Sequence, residues 1–96
     1  NFIFPAVYRS GALTVAVSTQ GYYPAAARKI KREFARNYGT VYREYLEKLR
    51  GYRERIKKAE PCPKRRRAIL NQLLNVSIEQ VIHWSEADFG VWLERE

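Results

Sequence analysis

The stretch Leu13–Phe34, LTVAVSTQGYYPAAARKIKREF, runs from an alternating strand through a polar turn into a basic helix. Alternate residues from Leu13 to Val17 are apolar and share one face, which is typical of a half-buried strand. Pro24 suits the first position of a helix, because its missing N–H would have no partner there. A helix N-terminus favours anions, and Arg28 adds a full positive charge one turn later. The junction is therefore a candidate anion-binding site.

The residues before this stretch predict a second strand. Phe2–Tyr8 is rich in aromatic and branched residues, and Ser10 with Gly11 supplies a turn before the next strand begins near Ala12. Together the two strands predict a β-hairpin. An isolated two-stranded hairpin is barely stable in water, so its apolar face must pack on another sheet, on a helix layer or on a second subunit. On the residues alone we favour packing on the chain's own helices.

The rest of the chain predicts helices, because its apolar residues recur at intervals of three and four. We expect Gly39 to end the first helix and Thr40 to cap the second. The predicted helices span residues 24 to about 37, 41 to about 58 and 64 to about 75, with two short helices after Ser77 and Ser85. We therefore predict an α+β fold, with a β-hairpin over residues 1–23 followed by a small helical bundle over residues 24–96.

Length and composition fit a globular chain. Its 96 residues are 46% hydrophobic and 29% charged, which argues against long disorder. No apolar run reaches the roughly 20 residues that span a bilayer, and no signal-peptide pattern is present. Cys62 is the only cysteine and has no partner at metal-ligand spacing, so neither a disulfide nor a metal site is predicted. We expect a soluble cytoplasmic protein without a membrane partner.

The charge balance points to an acidic partner. The formal net charge is +8 and the sequence pI is near 9.9. The densest cationic run is Lys64-Arg65-Arg66-Arg67, at a predicted helix start where cations are disfavoured. Such a run is either a solvated basic turn or a ligand-binding group, and the residues alone leave both interpretations open.

Few other residues suggest chemistry. Ser18 and Thr19 place two hydroxyls at the end of the second strand, and in most turns such hydroxyls bond their own backbone. His83 is the only histidine, and no Ser, Cys or carboxylate constellation accompanies it. We therefore expect a packed or surface histidine. The chain also lacks a Gly-rich dinucleotide fingerprint.

Residues 2–34, FIFPAVYRSGALTVAVSTQGYYPAAARKIKREF, resemble the segment that follows the NAD-binding domain in siroheme synthases and precorrin-2 dehydrogenases. The family pattern is a Phe-Ile-x-Pro-Ala strand, a strand ending in Ala-x-Ser-(Ser/Thr)-Gly-Gly, and x-x-Pro-x-x-Ala-Arg opening a helix. The matching residues are Phe2, Ile3, Pro5, Ala6, Ala16, Ser18, Thr19, Gly21, Pro24, Ala27 and Arg28. Gln20 departs from the pattern, since the family usually has glycine there.

The resemblance implies roles for particular residues. In this family the hairpin is the dimerisation element, with strands pairing across a two-fold axis, and the loop after it borders the active-site cleft. The tetrapyrrole substrate is rich in carboxylates, which arginine can bind through two parallel hydrogen bonds. The implied substrate-binding residues are Ser18, Thr19, Arg28, Arg65, Arg66 and Arg67. Thr19 matches a serine that is phosphorylated in some siroheme synthases, so a phosphate there would oppose an acidic substrate.

The resemblance also implies an activity for a longer parent protein. That enzyme would oxidise precorrin-2 to sirohydrochlorin with NAD⁺, and some relatives insert iron to give siroheme. The NAD site and the aspartate thought to act as general acid/base would lie upstream of Asn1, so we expect no catalytic, cofactor-binding or metal-binding residue in this chain. The absence of Met, with strand-like residues beginning at once, likewise favours a fragment.

The alternative hypothesis is a basic helical module that binds nucleic acid through phosphate contacts. The contacts would come from Lys29, Arg32, Arg36, Lys64, Arg65, Arg66 and Arg67. These cations are spread over several predicted helices and mixed with Glu33, Glu44, Glu47 and Glu54, instead of being gathered on one recognition helix. We therefore rank nucleic-acid binding well below the tetrapyrrole enzyme.

Overall fold

A computed structural model describes residues 4–96, and it confirms the α+β prediction of a hairpin followed by helices. Phe2 and Ile3, which begin the first predicted strand and carry part of the resemblance, lie outside the described residues. The elements are β1 Ala6–Ser10, β2 Leu13–Val17, α1 Pro24–Phe34, a π-helical segment Ala35–Gly39, α2 Thr40–Ala59, α3 Pro63–Leu74, α4 Ile78–His83 and α5 Glu86–Glu94. Contacts divide the chain into two compact units, residues 1–46 and 47–96. The domain boundary expected after residue 23 separates strands from helices and stays a prediction.

The hairpin pairs β1 with β2 antiparallel, in a register that places Tyr8 opposite Val15 and Ser10 opposite Leu13. Gly11 opens the two-residue loop with φ of +58°, a conformation that glycine adopts without steric cost. Burial alternates along both strands, with Leu13, Val15 and Val17 half-buried on one face, as their spacing predicts.

The inner face of the hairpin packs on α1. The ring of Tyr8 meets the ring of Phe34 edge-on, with 6.3 Å between centroids, and Ala27 is buried on the same helix. The chain's own helix therefore covers this face, as the residues alone favour. The outer face, which carries Val7 and Ala16, stays exposed.

The predicted helix end at Gly39 is wrong. The chain stays helical from Pro24 to Ala59, and Thr40 has helical angles of φ −68° and ψ −43° instead of those of a cap. Gly39 is buried against Tyr8, and a Cβ at this position would lie 2.9 Å from the Tyr8 Cζ. Glycine is therefore required here for close packing. The π-helical segment accommodates that approach, and Phe34 contacts the Tyr42 ring across it, with 5.9 Å between centroids.

The second unit has an aromatic core. Tyr52 and Phe89 stack with their centroids 4.0 Å apart and their planes at 7°. Its other buried residues are Ile56, Leu73 and Val81. Pro63 begins α3, and the Ser77 and Ser85 side chains cap α4 and α5 by accepting backbone N–H groups, as predicted. Across residues 4–96, no helix combines the length and apolarity needed to cross a membrane.

Candidate functional site

The turn between β2 and α1 is ordered by its own hydroxyls. Ser18 Oγ accepts a hydrogen bond from the Gln20 N–H at 3.1 Å, and Thr19 Oγ1 accepts one from the Tyr23 N–H at 3.2 Å. The Thr19 carbonyl also accepts from the Tyr22 N–H at 3.0 Å. Both hydroxyls therefore organise the turn, and each keeps its proton to donate to a further acceptor. Ser18 is exposed and Thr19 is half-buried.

Gln20 occupies the turn in a left-handed conformation, with φ of +56°, and Gly21 follows at +82°. Position 20 is where the resembling family usually has glycine, the residue that adopts such angles without steric cost. Gln20 therefore keeps a glycine-like backbone at the expense of local strain. Its departure from the pattern adds a side chain to the turn while the left-handed angle is retained.

α1 carries an uncompensated cationic face. Arg28, Lys29 and Arg32 are exposed, and the first turn of the helix has no acidic residue. Within residues 4–46, no Lys or Arg nitrogen lies within 4.0 Å of a carboxylate oxygen. The positive charge on this helix is therefore available to an external anion.

The three arginines at the start of α3 differ in their surroundings. Arg66 donates from Nε to the Glu60 carbonyl at 3.1 Å and from Nη2 to the Pro61 carbonyl at 3.2 Å. It thereby holds the connection between α2 and α3. Arg65 and Arg67 are exposed, and Arg65 borders an open hollow of about 280 Å³. The other residues lining that hollow are Glu60, Ala68, Ile69, Gln72 and Glu96.

The candidate site residues fall into two groups. Ser18, Thr19 and Arg28 lie in the first unit, on the turn and the helix that follows it. Arg65, Arg66 and Arg67 lie in the second unit. In the described part of the chain, no group of three His, Cys, Asp or Glu residues could hold a metal ion.

A groove between α4 and α5 was not predicted from the sequence. The rings of Trp84 and Trp92 line it, with 5.8 Å between centroids, and it has a volume of about 580 Å³. The other lining residues are Gln80, His83, Asp88, Val91 and Arg95. His83 is exposed, and its Nδ1 donates to the Glu79 carbonyl at 2.7 Å. Residues 88, 91, 92 and 95 have the spacing of residues on one face of α5, and this spacing is the sequence signal that indicates the groove.

Buried and charged groups hold the loop between those two helices. Lys48 Nζ donates to the Trp84 carbonyl at 3.0 Å, and the Tyr52 hydroxyl donates to the same oxygen at 3.4 Å. Burial raises the pKa of Tyr52, and the negative charge of Glu86 adds to that shift. The hydroxyl therefore stays protonated and acts as a structural donor.

Known proteins resemble this chain in both sequence and fold. A precorrin-2 dehydrogenase from Priestia megaterium is 28% identical over 75 residues, which cover 78% of this chain and 37% of that protein. A solved structure of SirC, a precorrin-2 dehydrogenase, matches with a TM-score of 0.72 at 25% identity, covering 99% of this chain and 46% of that one. The resemblance to the precorrin-2 dehydrogenase family is confirmed.

The match to precorrin-2 dehydrogenases extends beyond the residues that first suggested it. Residues 2–34 carried the sequence resemblance, whereas the structural match includes the helices of the second unit. The chain spans less than half the length of either precorrin-2 dehydrogenase. No protein-family model matches it.

Proposed function

We propose that this chain is the region of an NAD-dependent precorrin-2 dehydrogenase that follows the NAD-binding domain. The observation that carries the proposal is the structural match to SirC, with a TM-score of 0.72 over 99% of this chain. The parent enzyme would be cytoplasmic and oxidise precorrin-2 to sirohydrochlorin. NAD⁺ would be held by the part of the parent that precedes this region, and this chain alone would be inactive. In a bifunctional parent, iron would be a further substrate.

The region would supply part of the tetrapyrrole cleft. Its net charge of +8 suits a ligand rich in carboxylates. Arg28 is exposed beside the turn that carries Ser18 and Thr19, whose hydroxyl protons could be donated to such a ligand. Arg65 and Arg67 are exposed too, whereas the Arg66 guanidinium already has backbone partners. We therefore assign the stronger substrate contacts to Arg28, Arg65 and Arg67, with Arg66 in a supporting role.

The region would also form the subunit interface of a homodimer. β1 and β2 make a two-stranded sheet, and such a sheet gains stability when its edges pair with further strands. Val7 on the outer face of the hairpin is 37% exposed, and Ile30 on α1 is 48% exposed. A homodimer whose strands pair across a two-fold axis would cover exposed apolar side chains such as Val7.

Thr19 is the proposed site of regulation by phosphorylation. Its Oγ1 accepts the Tyr23 N–H, so a phosphate there would disturb the turn as well as add negative charge. Both effects would oppose the entry of a polyacidic substrate.

A binding experiment tests this function and separates it from nucleic-acid binding. The chain is titrated with sirohydrochlorin and, at the same salt concentration, with duplex DNA. We expect saturable binding of sirohydrochlorin, weakened about tenfold by Arg28→Ala, because that change removes a charge-assisted contact. Arg50→Ala is the matched control, since Arg50 is an exposed arginine on α2 without a hydrogen-bond or ion-pair partner among residues 4–96. Absence of sirohydrochlorin binding, or tighter binding of DNA, would contradict the proposal.

A further inference from the structure

Two arginines of α1 occupy neighbouring positions on the same outward face. Arg28 and Arg32 are four residues apart, a spacing that stacks side chains one turn above another on a helix. Both are exposed, whereas Ala27 is buried and Phe34 contacts the Tyr8 ring of the hairpin. The spacing therefore places both side chains on the same exposed face of the helix.

This arrangement carries an electrostatic cost that no ion pair among residues 4–96 offsets. Like charges four residues apart repel, and both arginines lie on a helix without acidic residues in its first turn. Within residues 4–96, neither guanidinium has a hydrogen bond or a carboxylate within 4.0 Å. Glu33, the one acidic residue of α1, makes no ion pair with either.

The chain satisfies buried or half-buried guanidinium groups elsewhere. Arg55 pairs with Glu86 and lies over the Phe89 ring, 4.7 Å from its centroid, and Arg66 bonds two carbonyls. Arg28 and Arg32 differ from these, because both are exposed and neither has a hydrogen-bond or ion-pair partner among residues 4–96. A ligand with two neighbouring carboxylates would neutralise the repulsion and occupy both planar donor sets at once.

We propose that Arg28 and Arg32 form a two-arginine clamp for a pair of carboxylates on one ligand, and that Arg32 sets the preference for tetrapyrroles with many carboxylates. The identity of the ligand as a tetrapyrrole rests on the proposed function. The assignment of Arg32 rests on its position relative to Arg28. Lys29 lies about 100° around the helix from Arg28 and flanks the clamp.

The test compares uroporphyrin with its octamethyl ester in the same detergent buffer, because the two share a porphyrin ring and only uroporphyrin carries free carboxylates. Affinities of the chain, of Arg32→Ala, of Arg32→Lys and of the control Arg50→Ala are measured by absorbance titration at one salt concentration. Circular dichroism verifies that each variant keeps its helices. We expect the unaltered chain and Arg50→Ala to prefer uroporphyrin. Arg32→Ala should lose about tenfold in uroporphyrin affinity and little in affinity for the octamethyl ester, which offers the clamp no carboxylate.

Arg32→Lys distinguishes a clamp from general charge. Lysine keeps the charge but lacks the planar donor set, so it should recover only part of the loss. Full recovery by lysine, an equal loss for both porphyrins, or an unchanged uroporphyrin affinity in Arg32→Ala would each overturn the clamp while leaving the proposed function intact. If the unaltered chain bound neither porphyrin and no sirohydrochlorin, both the clamp and the proposed function would fail.

Discussion

The ring of Tyr8 fills the space that a side chain at Gly39 would need. Gly39→Ala should therefore lower the free energy of unfolding by about 1–3 kcal/mol, because overpacking forces neighbouring groups to move. Urea denaturation followed by circular dichroism measures the change. Gly51→Ala is the matched control, since a Cβ at Gly51 would meet no atom within 4 Å. It should raise the free energy of unfolding by about 0.5–1 kcal/mol, as alanine is the better helix former. Similar effects of the two substitutions would contradict the packing role of Gly39.

Gln20 has a left-handed backbone that glycine would adopt more easily. Gln20→Gly should raise the free energy of unfolding by up to about 1 kcal/mol, the relief of strain exceeding the added entropy of the unfolded chain. Gln20→Val should lower it by about 1 kcal/mol, because branched residues tolerate positive φ poorly. The midpoints of urea denaturation give both values. A stability loss in Gln20→Gly would show that the side chain of Gln20, and not its backbone angle, matters.

Arg66 and Arg67 are neighbours with different surroundings. Arg66→Ala should lower the free energy of unfolding by about 1 kcal/mol, since the Glu60 and Pro61 carbonyls lose their donors. Arg67→Ala should change it by less than about 0.5 kcal/mol, as expected for an exposed side chain. Thermal melts compare the two. Equal destabilisation would remove the structural distinction drawn between these arginines.

Hydrogen bonds to Ser85 lower the pKa of Asp88 below its ordinary value of 3.8. The bond from the Ser85 backbone N–H has the larger effect, and the bond with the Ser85 side chain the smaller one. A lowered folded-state pKa means that ionised Asp88 stabilises the fold above pH 3.8, and that this contribution is lost as the pH falls through the folded-state pKa. Asp88→Asn should therefore lower the melting temperature by a few degrees at neutral pH. That deficit should shrink in acid.

Ser77→Ala is the control for this pH dependence. Ser77 caps α4 by accepting the Gln80 N–H, and its partner carries no titrating carboxylate. Its melting-temperature deficit should not vary with the titration of Asp88. A deficit in Asp88→Asn that is constant from neutral to acidic pH would rule out the capping carboxylate as its source.

The outer face of the hairpin should hold two copies of the chain together. Val7→Asp places a charge at an exposed apolar position and should shift a dimer towards monomer, measured by size-exclusion chromatography with light scattering. Asn71→Asp, an exposed change on α3, should leave the oligomeric state unchanged. A chain that stays monomeric at every concentration before any substitution would count against the interface.

Local signals predicted much of the fold. The alternation from Leu13 to Val17, the proline at the start of α1 and the serine caps of α4 and α5 each depend on neighbouring residues, and the structure confirms them. The helix end predicted at Gly39 is wrong because the role of Gly39 depends on Tyr8, a residue distant in sequence. Glycine ends many helices. Only the contact with Tyr8 shows that glycine is needed at position 39 because a larger side chain would not fit.

The candidate site was predictable by residue type and not by environment. Lys64-Arg65-Arg66-Arg67 reads as four equivalent cations, yet Arg66 alone of the three arginines bonds the connection between α2 and α3. The sequence likewise gives no reason to single out Arg32 beside Arg28. Their shared face follows from helical spacing, but the lack of any counter-charge is visible only once every neighbour has a position.

Both tryptophans of the chain, Trp84 and Trp92, belong to residues 47–96. Indole emission therefore reports on that half alone, whereas helical ellipticity also includes α1 and the π-helical segment. Superimposable melting curves from the two signals would identify one cooperative transition, and separated curves would give each half its own melting temperature.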